Sequence, residues 1–379
     1  MSCNELPVYL PTRPHLKHLP VLLLLAHLLL SSNKAQSIKI TSLTRYAIKG
    51  LSGDRLSHVH LEAGETFPDD RRYGLIKRTG SNHTGQTSFD PKRPRWIHKE
   101  NFLCAFSAPE LMSTFYTEYK EVDGDSPQRL FTVWKRRRRR QRHDEQRSQY
   151  PPLLGPVDIA TSHGRKQVSQ FFTQACGECV DLVTQTNTKR HTHQFGNTRS
   201  GVKVKGDTRT IHIINAATVR EISQIFGIKP PLRPSRFRPN IILDGLEPWK
   251  EFDFVGKTLE VVPSLHYRLS CCEGKRSNSS NNSDTIDSVM SPVTLMGLKL
   301  EIIQRTVRCE GVSIDPLDDP ETRKRLDIPK LLVDHYPQYG PYLGVYAVVL
   351  QGGEIGVGDE LRLIALFSPY YKLACILLR

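Results

Sequence analysis

The sequence predicts a mainly β chain with flanking helices (α+β), in which a closed or nearly closed barrel adjoins a smaller β-rich unit. Three observations predict it. Short segments alternate polar and apolar residues from Ser37 onward. Glycine-containing turns separate them. Helical periodicity is confined to a few stretches.

Residues 1–36 stand apart. A twelve-residue apolar run, Leu19 to Leu30, follows His15-Leu-Lys-His18 and contains Pro20 and His27. It is too short to span about 30 Å of hydrocarbon as a helix. An apolar run behind basic residues reads as a leader or membrane-targeting segment. From Ser37 to Trp134 the text is strand-like: Ile38 to Leu43, Leu56 to Glu62 and Arg71 to Lys77 alternate, and Glu110 to Tyr119 reads as a short helix.

Residues 135–150 form a basic insertion. Lys135 to Arg140 and Arg142 place seven cations within eight residues, a density that keeps a segment solvated and disordered. This run accounts for half of the formal net charge of +14. Trp134 is the one stacking aromatic beside it, so nucleic acid is not an expected partner. Residues 151–365 form the larger domain. A helix, Gly164 to Ala175, ends at Cys176-Gly-Glu-Cys179. With Gly177 at the C-cap position, the pair lies at the wrong helix end for thioredoxin-type redox chemistry. Thr210 to Asn215 reads as a buried strand and Ala216 to Phe226 as a helix capped by Asn215. A polar insertion spans 266–294, the C-terminal strands follow, and 366–379 is a tail. Eight thinly spread cysteines form neither a disulfide framework nor a zinc site, which fits a reducing compartment.

Four segments carry chemistry. Arg236-Phe-Arg-Pro-Asn240 places Arg236 and Arg238 two residues apart, so an extended chain aims both guanidinium groups to one face, suited to phosphate or carboxylate. Asn240 both donates and accepts, as a heterocycle edge requires. In Arg305-Thr-Val-Arg-Cys309, Arg308 favours thiolate at Cys309, the form that ligates soft metals or attacks as a nucleophile. Tyr46-Ala-Ile-Lys-Gly50 and Asp69-Asp-Arg-Arg-Tyr73 add Lys49 and Arg71. Singly, each also reads as packing or a solvated edge.

In this order the segments, with Gly311-Val-Ser-Ile-Asp-Pro316 and Val357-Gly-Asp359, resemble the MOSC family, named for the C-terminal domain of the molybdenum-cofactor sulfurase. The resemblance covers most of 37–134, as the family's N-terminal β-barrel domain, and of 150–365, as the MOSC barrel itself. Relatives include the mitochondrial amidoxime-reducing component, which reduces N-hydroxylated compounds with electrons from cytochrome b5. The resemblance implies a molybdenum–molybdopterin cofactor with Cys309 as the catalytic residue and protein ligand to the metal. It further implies that Arg238 and Asn240 contact the cofactor, that Lys49 and Arg71 hold its phosphate end, and that Arg308 lies beside the metal. Relatives carry Ser where Gly50 and Val307 stand.

Two functions follow as expectations. One is an oxidoreductase acting on N-hydroxylated or N-oxide-type small molecules. It would draw electrons from an external donor such as a cytochrome b5-type protein, since no Gly-x-Gly-x-x-Gly motif follows a strand. The other is a non-catalytic carrier of the cofactor or of sulfur. The 36 residues before the β-rich unit leave no room for the sulfurase's PLP-binding domain. A cofactor made in the cytosol favours a mitochondrial or intracellular membrane location, through residues 19–30, with the cytoplasm as the alternative.

Overall fold

The computed structural model describes residues 37–78, 97–136, 150–184, 195, 209–264, 297–318, 321 and 323–364. The leader 1–36, the insertion 266–294 and the tail 366–379 lie outside the described residues, as does 135–150 apart from Lys135, Arg136 and Tyr150. Among the described residues no helix is long and apolar enough to cross a membrane.

The strands, in chain order, begin with β1 (Ile38–Arg45), β2 (Asp54–Leu56), β3 (His58–Leu61), β4 (Tyr73–Lys77), β5 (Phe115–Val122), β6 (Gln128–Lys135), β7 (Leu154–Asp158) and β8 (Val180–Thr184). They continue with β9 (Ile211–Asn215), β10 (Ile241–Asp244), β11 (Thr258–Val262), β12 (Lys299–Val307), β13 (Tyr342–Gln351), β14 (Gly353–Gly356) and β15 (Glu360–Leu363). The helices are α1 (Pro109–Ser113), α2 (Ser162–Cys176), α3 (Ala216–Ile225) and α4 (Ile328–His335).

The chain is mainly β, and seven strands close into a barrel in the order β10-β9-β13-β12-β11-β15-β1, with β1 pairing back onto β10. All neighbours are antiparallel except β9 and β10, which α3 connects as a parallel crossover. All five residues of β9 are buried, as for a strand covered on both faces. Ile213, Leu243, Leu300, Ile302 and Val345 fill the interior.

A second core gathers Tyr73, Leu75, Phe131, Val133, Val168, Phe172 and Leu182. It does not partition from the barrel at 135–150. The strands β7 and β8 and helix α2 follow that insertion yet pack with β4, β5 and β6, whereas β1 precedes it and is a barrel strand. The helix expected over Glu110 to Tyr119 is corrected: α1 stops at Ser113, and burial of Phe115, Thr117 and Tyr119 at period two makes the rest a strand. Arg136 is corrected too. Expected in a solvated run, it is 7% exposed, its guanidinium donating to the Phe115 carbonyl at 3.3 Å. Gly177 ends α2 at φ 71°, the C-cap that its position predicts, and Cys176 and Cys179 are free.

One buried carboxylate links fold to pH. Glu251 is fully buried and accepts from Asn215 Nδ2 at 3.0 Å and from the Thr218 hydroxyl at 2.9 Å, tying α3 to the Lys250–Phe254 turn. Burial pushes its pKa up from 4.5 to about 7, against those hydrogen bonds. Between these two values the native state keeps a proton that the unfolded state has lost, so stability falls as pH rises through the window, by roughly 3 kcal/mol in all. Urea unfolding across that window should show the decline in the wild type, and Glu251→Gln should flatten it. An equal decline in the variant would locate the effect elsewhere.

Candidate functional site

Tyr46 to Gly50 leaves β1 and runs alongside Arg71 to Tyr73. Arg71 N donates to Tyr46 O at 2.7 Å, Tyr73 N to Ala47 O at 3.0 Å, and Lys49 N to Tyr73 O at 2.9 Å. The Asp70 carboxylate fastens the two, accepting from Tyr46 N at 2.7 Å and from the Arg71 guanidinium. Arg71 sits at φ 51°, a left-handed conformation uncommon outside glycine. Its side chain lies over the Tyr46 ring, 5.2 Å from the centroid, and donates to Arg238 O at 3.3 Å.

The Arg236–Asn240 segment is not extended, which corrects the shared-face expectation. Pro234–Phe237 is a 3-10 turn and Arg238 follows at φ 54°, ψ 49°, so the two arginines diverge. Arg236 turns inward to the carbonyls of Val312 (2.8 Å) and Ser313. Arg238 also lies over the Tyr46 ring, 4.4 Å from its centroid, and donates to Leu51 O. Asn240 is occupied by backbone: its Nδ2 donates to Thr44 O at 3.1 Å and its Oδ1 accepts from His212 N at 3.1 Å. It therefore stitches β1 to β9 beneath the site. Two of the site's arginines, Arg71 and Arg238, thus occupy left-handed backbone, which persists only where the surroundings hold it.

Cys309 follows β12 and precedes the Glu310–Val312 turn, partly buried and free. Arg308 does not reach for it. Its guanidinium turns into the barrel, donating to Leu343 O (2.8 Å from Nε), to Phe237 O at 3.4 Å and to His212 Nε2 at 2.6 Å. Because a guanidinium only donates, Nε2 must accept, which puts the His212 proton on Nδ1, 3.3 Å from Arg238 O. Burial, and then the Arg308 charge, hold His212 well below its usual range, so the ring is neutral. The Arg308–His212–Arg238 chain links the cysteine segment to the arginine turn.

Charge gathers around two thiols. Burial pulls Lys49 down to about 8, with Cys104 and Cys309 opposing the shift and Arg71 and Arg238 adding to it. Lys49 thus lies within electrostatic reach of Cys104, Cys309, Arg71 and Arg238, and Arg308 within reach of Cys309, while Asn240 is held by backbone. Lys49 Nζ donates to Phe195 O at 3.0 Å. Arg238 and Arg308 have no carboxylate at ion-pair distance among the described residues, and burial pulls each to about 10. Such cations favour an anionic ligand. A small cavity between Gly50, Ala105, Arg238 and Gly311 adjoins Cys309, whose Sγ would lie 3.6 Å from a Cβ at Gly311.

Several site residues escape sequence reasoning. Tyr46 carries two guanidinium groups over its ring, and burial raises its pKa to about 12, keeping it neutral. Asp70 and His212 position their neighbours; the available signal for His212 is a polar residue inside Ile211-His-Ile-Ile. Gly344, at φ 76°, admits Arg308: a Cβ there would stand 2.6 Å from Ile213 O and 3.2 Å from Arg308 Nη2.

Among the described residues no three His, Cys, Asp or Glu side chains converge to hold a metal unaided. A cysteine sulfur beside buried cations fits a metal whose remaining donors arrive with an anionic cofactor.

Residues 191–362 match the family model for the MOSC domain. That span holds Arg238, Asn240, Arg308 and Cys309, and leaves Lys49 and Arg71 outside. Among solved structures, YiiM from Geobacillus stearothermophilus is similar at 17% identity and a TM-score of 0.25, over 41% of this chain and 54% of that one. The chain therefore spans about half the length of that neighbour. The YUAD protein from Bacillus subtilis is similar at 10% identity and a TM-score of 0.31, over 86% of this chain and 94% of that one. No curated protein matches the sequence.

Proposed function

We propose that this chain, which carries a MOSC domain over residues 191–362, binds a molybdenum–pterin cofactor and reduces N-hydroxylated or N-oxide-type small molecules with it. The MOSC family is associated with molybdenum-cofactor binding. The observation that carries the reading is the small cavity lined by Gly50, Arg238 and Gly311 beside Cys309, with Arg238 lacking a carboxylate partner among the described residues. When bound, the cofactor supplies the redox chemistry. Cys309 contributes the protein sulfur to the metal, and Lys49, Arg71 and Arg238 hold the anionic end. Arg308, His212 and Asn240 keep the two barrel segments in register. Electrons come from an external donor of the cytochrome b5 type, and residues 19–30 attach the chain to a mitochondrial or intracellular membrane.

A carrier of cofactor or sulfur is the second reading, favoured by one observation: Gly50 and Val307 offer no hydroxyl where relatives have serine. The test is purification of the full chain from a host that makes molybdopterin, with metal and pterin quantified. Reduction of an N-hydroxylated amidine by an artificial donor is then assayed. Bound cofactor with turnover supports the reductase; bound cofactor without turnover across several substrates supports the carrier. A chain that acquires neither metal nor pterin overturns both.

A further inference from the structure

A second cleft lies beside the Cys309 cluster and shares Arg238 and Pro316 with its small cavity, but Cys309 does not line it. It measures about 1000 Å³ and opens between β1, the 52–59 segment and β5. Its acids are already engaged. Glu121 pairs with Arg45 and lies 3.6 Å from Arg129, Glu118 lies 3.4 Å from Lys120, and Asp54 accepts from Tyr119 N at 3.0 Å. Its exposed Arg55, and with it Arg136 and Arg238, have no carboxylate at ion-pair distance among the described residues.

Arg136 is the most telling of the three. It is 7% exposed, and among the described residues Nε has no hydrogen-bond partner and Nη2 reaches only neutral oxygens, Phe115 O at 3.3 Å and Ser52 Oγ at 3.5 Å. Asp315 acts on it from beyond ion-pair distance and is itself held by Arg233 at 2.9 Å. A buried guanidinium without a counter-charge is costly, and a ligand that supplies one recovers that cost. Around it stand the rings of Tyr46 and Tyr116 and the side chain of Leu317, which suit an aromatic or apolar body.

The geometry points to a second anion-binding site, distinct from the Cys309 cluster, that takes a small organic phosphate with an aromatic body, Arg136 gripping the phosphate. Guanidinium and phosphate match in bidentate geometry. The inference stands independently of the molybdenum reading.

Calorimetric titration of the full chain with adenosine monophosphate and with inorganic phosphate tests it. The nucleotide should saturate in the millimolar range or below, more tightly than phosphate alone, and raise the melting temperature as it does so. Arg136→Gln should weaken nucleotide binding roughly tenfold or more while leaving the molybdenum and pterin content unchanged. Should that variant fail to fold, Leu317→Trp, which narrows the cleft and keeps Arg136, should weaken binding in the same way. No saturation by either probe, undiminished binding in a folded variant, or equal affinity for phosphate and nucleotide overturns the proposal. Loss of the cofactor together with the nucleotide in Arg136→Gln would make the cleft part of the cofactor's own site and overturns it too.

Discussion

Cys309→Ala purified from a molybdopterin-producing host should hold at most about a hundredth of the wild-type molybdenum per chain, since even outer-shell changes cost 10- to 100-fold in metal affinity. The variant should fold. Cys309 is only partly buried and caps a 3-10 turn through its backbone rather than its side chain, so the loss of Sγ costs about 1 kcal/mol of stability. Pterin should fall less than metal, because Lys49, Arg71 and Arg238 still offer cationic partners to its anionic end. The metal-to-pterin ratio is therefore the sharper readout. Cys104→Ala is the control, since Lys49 responds to both thiols. Cys104 is buried against Gly50 and its Sγ faces the Lys99 carbonyl at 3.7 Å, so its removal should leave the metal in place. Undiminished molybdenum in Cys309→Ala, or its loss from Cys104→Ala alone, would reassign the ligand.

The barrel is legible in the sequence where burial shows as periodicity. The apolar run of β13, the five buried residues of β9 and its Asn215 cap all read directly, because local pattern and tertiary environment agree there. Strand partners are not legible. Nothing in Ile38 to Arg45 says that it closes a barrel with β10, some two hundred residues away, rather than joining the nearer β5. At the site, residue types read correctly as chemistry but not as direction. Arg236 and Arg238 share a face only in an extended chain, and the left-handed residue at 238 breaks that periodicity. Arg308 looks like a partner for Cys309 by adjacency, yet Gly344 clears a path for it to Leu343 and His212 instead. Arg136 illustrates the converse: low-complexity composition hides one member of the run that belongs to the fold.

Gly50→Ser, the exchange that restores the relatives' residue, should destabilise this chain by about 3 kcal/mol rather than improve cofactor binding. The backbone at Gly50 has φ 90°, and a Cβ there would stand 2.6 Å from Cys104 Cα, 2.7 Å from Cys104 Cβ and 3.0 Å from Ala105 N. Left-handed backbone alone costs a non-glycine residue about 1–3 kcal/mol, and the overlap adds to it because its partner is main chain. That main chain is not free to retreat: Leu103 N donates to Leu75 O at 2.8 Å, and Phe102 and Leu103 are buried beside it. Denaturant titration should show the midpoint fall, and the displaced Lys49 should carry pterin content down with it. A Gly50→Ser protein as stable as the wild type would mean that the 103–105 segment yields. Val307→Ser is the counterpart. Its side chain is 57% exposed at the rim of β12, so the exchange should change stability by less than about 0.5 kcal/mol. Whatever Val307→Ser does to turnover therefore reports the hydroxyl itself, which Gly50→Ser cannot do, because there the backbone fails before the hydroxyl can act.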